Sequence, residues 1–179
     1  MKITVFGGAV PKPGETAYEE ARQLGFLLGS AGHTLMTGGY IGVMEAVSKG
    51  AHEAGAHVIG STCEEIEVWR DSKANEWVKE EWKFQTLRER MYALIDECDA
   101  AIAMPGGVGT LAELAVLWNQ EIISKNHPRP LILVGKGWVE TIKILFSSLG
   151  SYISEHDQNR VILVENIREA VTVINQYKF

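Results

Sequence analysis

An α/β fold, built as a doubly wound parallel sheet in three α/β/α layers, is the architecture this chain predicts. Three observations carry it. Short apolar runs alternate with helix-like segments almost without interruption. The runs are apolar throughout instead of alternating with polar residues, as expected of strands covered by helices on both faces. Glycine turns follow three of the runs, where a strand hands over to a helix. Six such strands joined by helical crossovers imply a parallel sheet. At 179 residues the chain is long enough for one well-buried domain, read as 1–179, and short for two.

The elements follow in order. "KITVFG" (2–7) reads as a buried strand, and 16–31 as an amphipathic helix ending near Gly32. "HTLMTGG" (33–39) is a strand entering a glycine turn, followed by a helix over 42–54 and the strand "AHVIGST" (56–62). A helix at 86–97, the strand "AAIAM" (100–104) and a helix at 110–124 come next. "RPLILVG" (129–135), a helix at 137–149, "RVILVE" (160–165) and a helix at 167–177 complete the series. Residues 64–85 break the rhythm, being highly charged yet carrying Trp69, Trp77 and Trp82. They read as a surface loop or short helix with its aromatics tucked onto the core, or else as a lid or subunit contact.

Composition narrows the function. With 46% hydrophobic and 22% charged residues the chain has the make-up of an ordinary soluble protein. A net charge of −6 argues against broad nucleic-acid binding, which wants a positive field. Cys63 and Cys98 share no metal-ligand spacing and are too sparse for a disulfide scaffold. Both are expected to be reduced and structural, which fits a cytoplasmic protein. "MKITVF" enters the first strand at once, so no signal peptide is expected, and no apolar run reaches the ~18 residues of a membrane span. His33, His52, His57, His127 and His156 show no metal spacing either. No metal, no cofactor, no nucleic acid and no membrane is therefore expected. Glu15, Glu19 and Glu20 complement the dipole of the first helix.

The chemistry concentrates in the turns "FGGAVPKPG" (6–14), "TGGYIGVME" (37–45) and "PGGVGTLAE" (105–113). Ligands of open parallel sheets bind beyond the carboxyl ends of the strands, where the strand order reverses. Glycine lets the backbone approach a ligand, and free N–H groups at a helix start attract phosphate. One shared anionic ligand explains three such turns together. No GxxxxGK[ST] occurs, which excludes a Walker-type phosphate loop. Gly107-Val108-Gly109-Thr110-Leu111-Ala112 meets the loose dinucleotide pattern, but the next strand ends in Gly135 with no acid to hold a ribose. A mononucleotide fits better. Lys12 and Lys136 lie near strand ends and are candidates to touch its phosphate.

Glu113 has two readings. Thr110-Leu111-Ala112-Glu113 matches the capping box, a helix-start device worth about 1 kcal/mol. In the chemical reading, the carboxylate lies in the first helical turn, within reach of the ligand. "LRERMYALIDECDA" (87–100) then supplies Arg88 and Arg90 on a helix whose C-terminal end feeds the site, and arginine holds phosphate or carboxylate bidentately. A carboxylate beside a nucleotide positions water or stabilises an oxocarbenium-like centre at the sugar C1′.

The stretch "RERMYALIDECDAAIAMPGGVGTLAEL" resembles the LONELY GUY (LOG) family of cytokinin riboside 5′-monophosphate phosphoribohydrolases, long described as possible lysine decarboxylases. Arg90, Pro105-Gly106-Gly107-Val108-Gly109-Thr110 and Glu113 stand at the family spacing, and residues 37–60 resemble its second glycine region. The resemblance covers residues 3–125. It implies a Rossmann-like fold, a homodimer or larger homo-oligomer, and hydrolysis of a nucleoside 5′-monophosphate to free base and ribose 5-phosphate. By the same resemblance Arg90 and Glu113 are the catalytic pair. The substrate-binding set is Gly8, Gly38, Gly39, Met44, Met91, Pro105, Gly106, Gly107, Val108, Gly109 and Thr110. The chain departs from the family pattern at Met91, Ala112, Trp118 and Glu45, around the base and ribose side, so the base stays open. These departures resemble a sister branch that binds nucleotides or carries a molybdenum cofactor without hydrolysis. The decarboxylase description finds no lysine in a pyridoxal-phosphate setting.

Overall fold

The computed structural model describes residues 1–124 and 129–177. The elements are β1 (Lys2–Phe6), α1 (Thr16–Ser30), β2 (Thr34–Thr37), α2 (Val43–Glu53), β3 (Val58–Cys63) and α3 (Glu64–Arg70). Then come β4 (Glu80–Phe84), α4 (Leu87–Asp96), β5 (Ala100–Ala103), α5 (Val108–Ile123) and β6 (Leu131–Val134). The chain continues through α6 (Lys136–Leu149), a 3₁₀ turn (Gly150–Tyr152), α7 (Glu155–Gln158), β7 (Val161–Val164) and α8 (Ile167–Gln176). The strands form one sheet in the order β4-β3-β2-β1-β5-β6-β7, every pairing parallel. The predicted α/β architecture is the one observed. Among the described residues no helix is long and apolar enough to cross a membrane.

Alternate residues of each strand serve opposite faces, and the two faces have separate cores. Ile3 and Val5 of β1 pack with Leu24 and Leu28 of α1, Val47 of α2 and Ile174 of α8. Phe6 packs the other way, with Leu94 of α4, Leu117 of α5 and Trp138 of α6. Thr4 shares that second face, and its buried hydroxyl is satisfied by donating to the Leu94 carbonyl at 2.8 Å. Successive strands step outward from β1 to β4, then the chain returns to the far side of β1 with β5. The reversal between β1 and β5 is the switch point where open parallel sheets leave a crevice.

Three expectations are corrected. The sheet has a seventh strand, β4, inside the tryptophan-rich segment. "EEWKF" went unread because an edge strand keeps one side in water and alternates polar with apolar residues. Second, α5 opens at Val108 with Gly107 as its N-cap, and no side chain caps it. Thr110 is thus inside the helix, and the capping-box reading of Thr110 and Glu113 falls. The capping box is at α4, where Glu89 N donates to Thr86 Oγ1 at 3.2 Å and Thr86 N donates to Glu89 Oε2 at 3.0 Å. Third, α4 follows β4, so its N-terminal turn, not its C-terminal end, lies at the carboxyl edge of the sheet. Its C-terminal Glu97 pairs with Lys2 at the opposite edge. His127 lies outside the described residues.

Helices α1 and α2 cross closely. A Cβ on Gly50 would stand 1.8 Å from the Arg22 carbonyl oxygen. Backbone cannot yield as a side-chain tip does, so the contact requires glycine. Gly50→Ala is therefore expected to lower stability by about 1–3 kcal/mol through overpacking, although alanine is the better helix former by roughly 1 kcal/mol. Urea denaturation that finds the variant as stable as the parent would contradict the close crossing.

Candidate active site at the switch point

Backbone bonds stitch the three glycine turns together at the carboxyl edge. Gly8 N donates to the Pro105 carbonyl at 3.1 Å, and Val43 N donates to the Gly8 carbonyl at 2.9 Å. Residues from the ends of β1, β2 and β5 thus meet across the switch point. Gly106 lies against the others so tightly that a Cβ there would fall 2.2 Å from Thr110 Oγ1 and 2.9 Å from Gly8 N. Gly107, Val108 and Gly109 are exposed. As the N-cap and first residues of α5, they and Thr110 have N–H groups without intrahelical acceptors, at the positive end of the helix dipole. That geometry suits a phosphoryl group.

Arg90 reaches the same edge from the first turn of α4. It is 5% exposed, and a buried guanidinium must spend its N–H groups on acceptors. Nε donates to the Ser61 carbonyl at 2.8 Å, and Nη2 donates to the Gly38 carbonyl at 3.2 Å. Nη2 also lies 3.8 Å from Met44 Sδ. Ser61 Oγ returns a bond to the Arg90 carbonyl at 3.2 Å, so backbone and side chain are both held by one residue of β3. The Tyr40 ring sits 5.6 Å from the guanidinium carbon. Nη1 remains, and it faces Glu113 Oε1 at 3.6 Å.

Gly38 has a steric reason to be glycine. A Cβ there would lie 1.8 Å from Arg90 Nη2 and 2.6 Å from Met44 Sδ. Glu113 sits in the second turn of α5, its side chain 12% exposed. Burial pushes its carboxyl up to about 7, and the Arg90 charge opposes that rise. A carboxyl so poised exchanges a proton near neutrality, as general acid–base chemistry wants.

The structure therefore gathers Gly8, Gly38, Gly39, Met44, Arg90, Pro105, Gly106, Gly107, Val108, Gly109, Thr110 and Glu113 at one edge. Met91 is different: it packs into the apolar layer shared by α4, α5 and α6. Arg88 lies over Tyr92 with its guanidinium carbon 5.8 Å from the ring, well round the helix from Arg90. Trp118 is half-buried against the core, donating its indole N–H to the Asp157 carbonyl at 2.8 Å and meeting Phe146 edge-on. Lys136 pairs with Glu140 on its own helix. Sequence reasoning missed Ser61, Tyr40 and Asn75. Asn75 donates its amide N–H groups to the Gly39 and Tyr40 carbonyls at 2.9 and 2.8 Å. Among the described residues no cluster of three or more His, Cys, Asp or Glu is placed to hold a metal ion. Two surface recesses, one on Arg22 and Phe26 and one on Trp82 and Tyr92, include none of the site residues.

The chain is similar to several known proteins. The family model described as possible lysine decarboxylase matches residues 44–174. A cytokinin riboside 5′-monophosphate phosphoribohydrolase of Mycobacterium tuberculosis is 29% identical, over 94% of this chain and 90% of that one. The rice enzyme of the same name is 30% identical, over 98% of this chain and 73% of its own. Among solved structures, a molybdenum cofactor binding protein of Rippkaea orientalis superposes with a TM-score of 0.76 at 26% identity, covering 97% of this chain and 94% of that one.

The raised Glu113 carboxyl has a consequence for stability. Folded, it keeps its proton to about 7, whereas unfolded it ionises near 4.5. The unfolded state is thus favoured progressively as pH rises through that window, and stability falls by roughly 3 kcal/mol across it. Glu113→Gln removes the titration. The stability of the variant relative to the parent is expected to rise as pH goes from about 4.5 to about 7, read by urea denaturation; a difference that does not change with pH would contradict the burial argument.

Proposed function

Because this chain belongs to the LONELY GUY family, whose model carries the description possible lysine decarboxylase, we propose that it hydrolyses the N-glycosidic bond of a nucleoside 5′-monophosphate. AMP or a cytokinin-type riboside monophosphate is the substrate class, and free base and ribose 5-phosphate are the products. The single observation that carries the reading is the Arg90–Glu113 pair, buried beside an uncapped, glycine-opened helix start. Relatives at about 30% identity are named for the same reaction, which supports it.

In this reading the N–H groups of residues 107–110 hold the 5′-phosphate and Gly8 and Gly106 let it approach. Glu113 as carboxylate takes a proton from water, whose oxygen bonds to C1′. The C1′–N bond breaks, its electron pair goes to the base, the base takes up a proton from solvent, and Glu113 releases to solvent the proton it took from water. Positive charge developing at C1′ is stabilised by the carboxylate. Arg90 steadies the ionised form of Glu113. It is spent on two carbonyls, so it acts on the acid and not on the phosphate. Decarboxylation finds no support, since no lysine among the described residues is buried.

The likeness to a molybdenum cofactor binding protein favours one alternative, a carrier in which the same turns bind without hydrolysis. Incubation with AMP and N6-substituted analogues, with free base read by chromatography, separates the two. Hydrolysis is expected, with Glu113→Gln lowering kcat about 10²–10⁴-fold, the usual range for a general acid or base, while nucleotide binding persists. Binding without cleavage, unaffected by Glu113→Ala, would establish the carrier instead.

A further inference from the structure

The segment between β3 and β4, opaque in sequence, bonds to the site's glycine turn through Asn75. The β2–α2 turn, residues 38–42, contains Gly39 at φ +77° and Gly42 at φ +73°. Two glycines in the left-handed region make a turn that costs much entropy to hold still. Yet this turn has to be still, because its Gly38 carbonyl is an acceptor for Arg90 and Met44 beyond it meets the same guanidinium.

What holds it comes from outside. Asn75 has its amide and its backbone engaged. Nδ2 donates to both the Gly39 and Tyr40 carbonyls, and the Asn75 backbone N–H donates to the Gly39 carbonyl at 2.8 Å. Its Oδ1 accepts from Trp77 N at 3.2 Å, which sets the amide's orientation. On the inner side Tyr40 is pinned to β3: Cys63 N donates to its hydroxyl at 2.8 Å, and the hydroxyl donates to the Cys63 carbonyl at 3.0 Å. Val78 closes the seam, filling the space a Cβ on Gly60 would need. The segment itself is anchored separately, with Trp77 against His52 at 5.4 Å and under Lys49 at 5.2 Å.

We propose that Asn75 is a positioning residue for the site: its amide fixes the Gly38–Tyr40 turn in the shape that seats Arg90 against Glu113. This deepens the hydrolase reading and rests on it for its kinetic arm alone. Only an amide of this length serves. Aspartate has the same shape but no N–H when ionised, and it would set a charge against two carbonyl oxygens. Alanine leaves the Tyr40 carbonyl to water and the Gly39 carbonyl with the residue-75 backbone N–H alone.

The test compares Asn75→Asp and Asn75→Ala with Trp77→Phe, which alters the segment's anchor but leaves every bond to the turn. Two readouts are taken: steady-state kinetics on AMP, and NMR titration of the Glu113 carboxyl carbon in ligand-free protein. Both Asn75 variants are expected to lower kcat about 10–100-fold, the effect of misplacing a catalytic group by around 1 Å, with KM changed far less. Their Glu113 midpoint is expected to move upward, because the Arg90 charge that opposes the effect of burial has drifted away. Trp77→Phe is expected to change neither. Unchanged Glu113 titration in Asn75→Ala and Asn75→Asp, with only a lowered melting temperature, would reduce Asn75 to a structural role and overturn the proposal. If either variant fails to fold, the other decides it. Absence of nucleotide hydrolysis by the parent protein would count against the hydrolase reading, and the titration would still judge Asn75.

Discussion

A guanidinium taken out of water needs acceptors on every side, and Arg90 finds them in main chain. Its contacts with the Ser61 and Gly38 carbonyls bind together the ends of three separate elements, β3, β2 and α4. Much of the local sequence follows from that demand. Residue 38 is glycine because anything larger would displace Nη2. The first turn of α4 must start at a fixed place, which the Thr86–Glu89 capping box secures. The glycine turn must keep its shape, which brings in the segment before β4. The one remaining direction of the cation faces Glu113.

The opposite wall of the site follows a different logic. It is made of what is left out: no side-chain cap on α5 and no side chain at Gly106 or Gly107. An anion seated there would be held by neutral N–H dipoles, so the buried cation stays available to the acid. That division separates binding from proton chemistry. Glu113 lies between the two walls, in water scarce enough to raise its carboxyl and near enough to Arg90 to limit the rise. A carrier and a hydrolase can share such a scaffold; whether bond cleavage occurs depends on what the acid faces.

Much of this was legible in the sequence, for physical reasons that differ by region. Strands β1, β5 and β6 are buried on both faces, so their apolar runs announced them. β4 is half in water, and "EEWKF" carries too many charges to stand out. The pattern [ST]xx[DE] occurs at both Thr86 and Thr110, and only the backbone tells which is a cap: α5 begins two residues before Thr110. The glycine turns and the pair Arg90 and Glu113 could be named from their residues and from the family resemblance. Their partners could not. Ser61 acts through a carbonyl group that every residue owns, Gly38 could be named with its turn but not as an acceptor for Arg90, and Asn75 lies in a segment where only the tryptophans stand out.

Hydrolysis as proposed requires one spatial relation: a 5′-phosphate at the start of α5 with the sugar C1′ in front of the residue-113 side chain. A crystal structure of the Glu113→Gln protein with AMP measures it directly. The phosphate is expected on the amides of residues 107–110, with the substituted amide turned to C1′ and Arg90 still on the Ser61 and Gly38 carbonyls. A nucleotide bound elsewhere, or one whose ribose points away from residue 113, would contradict it.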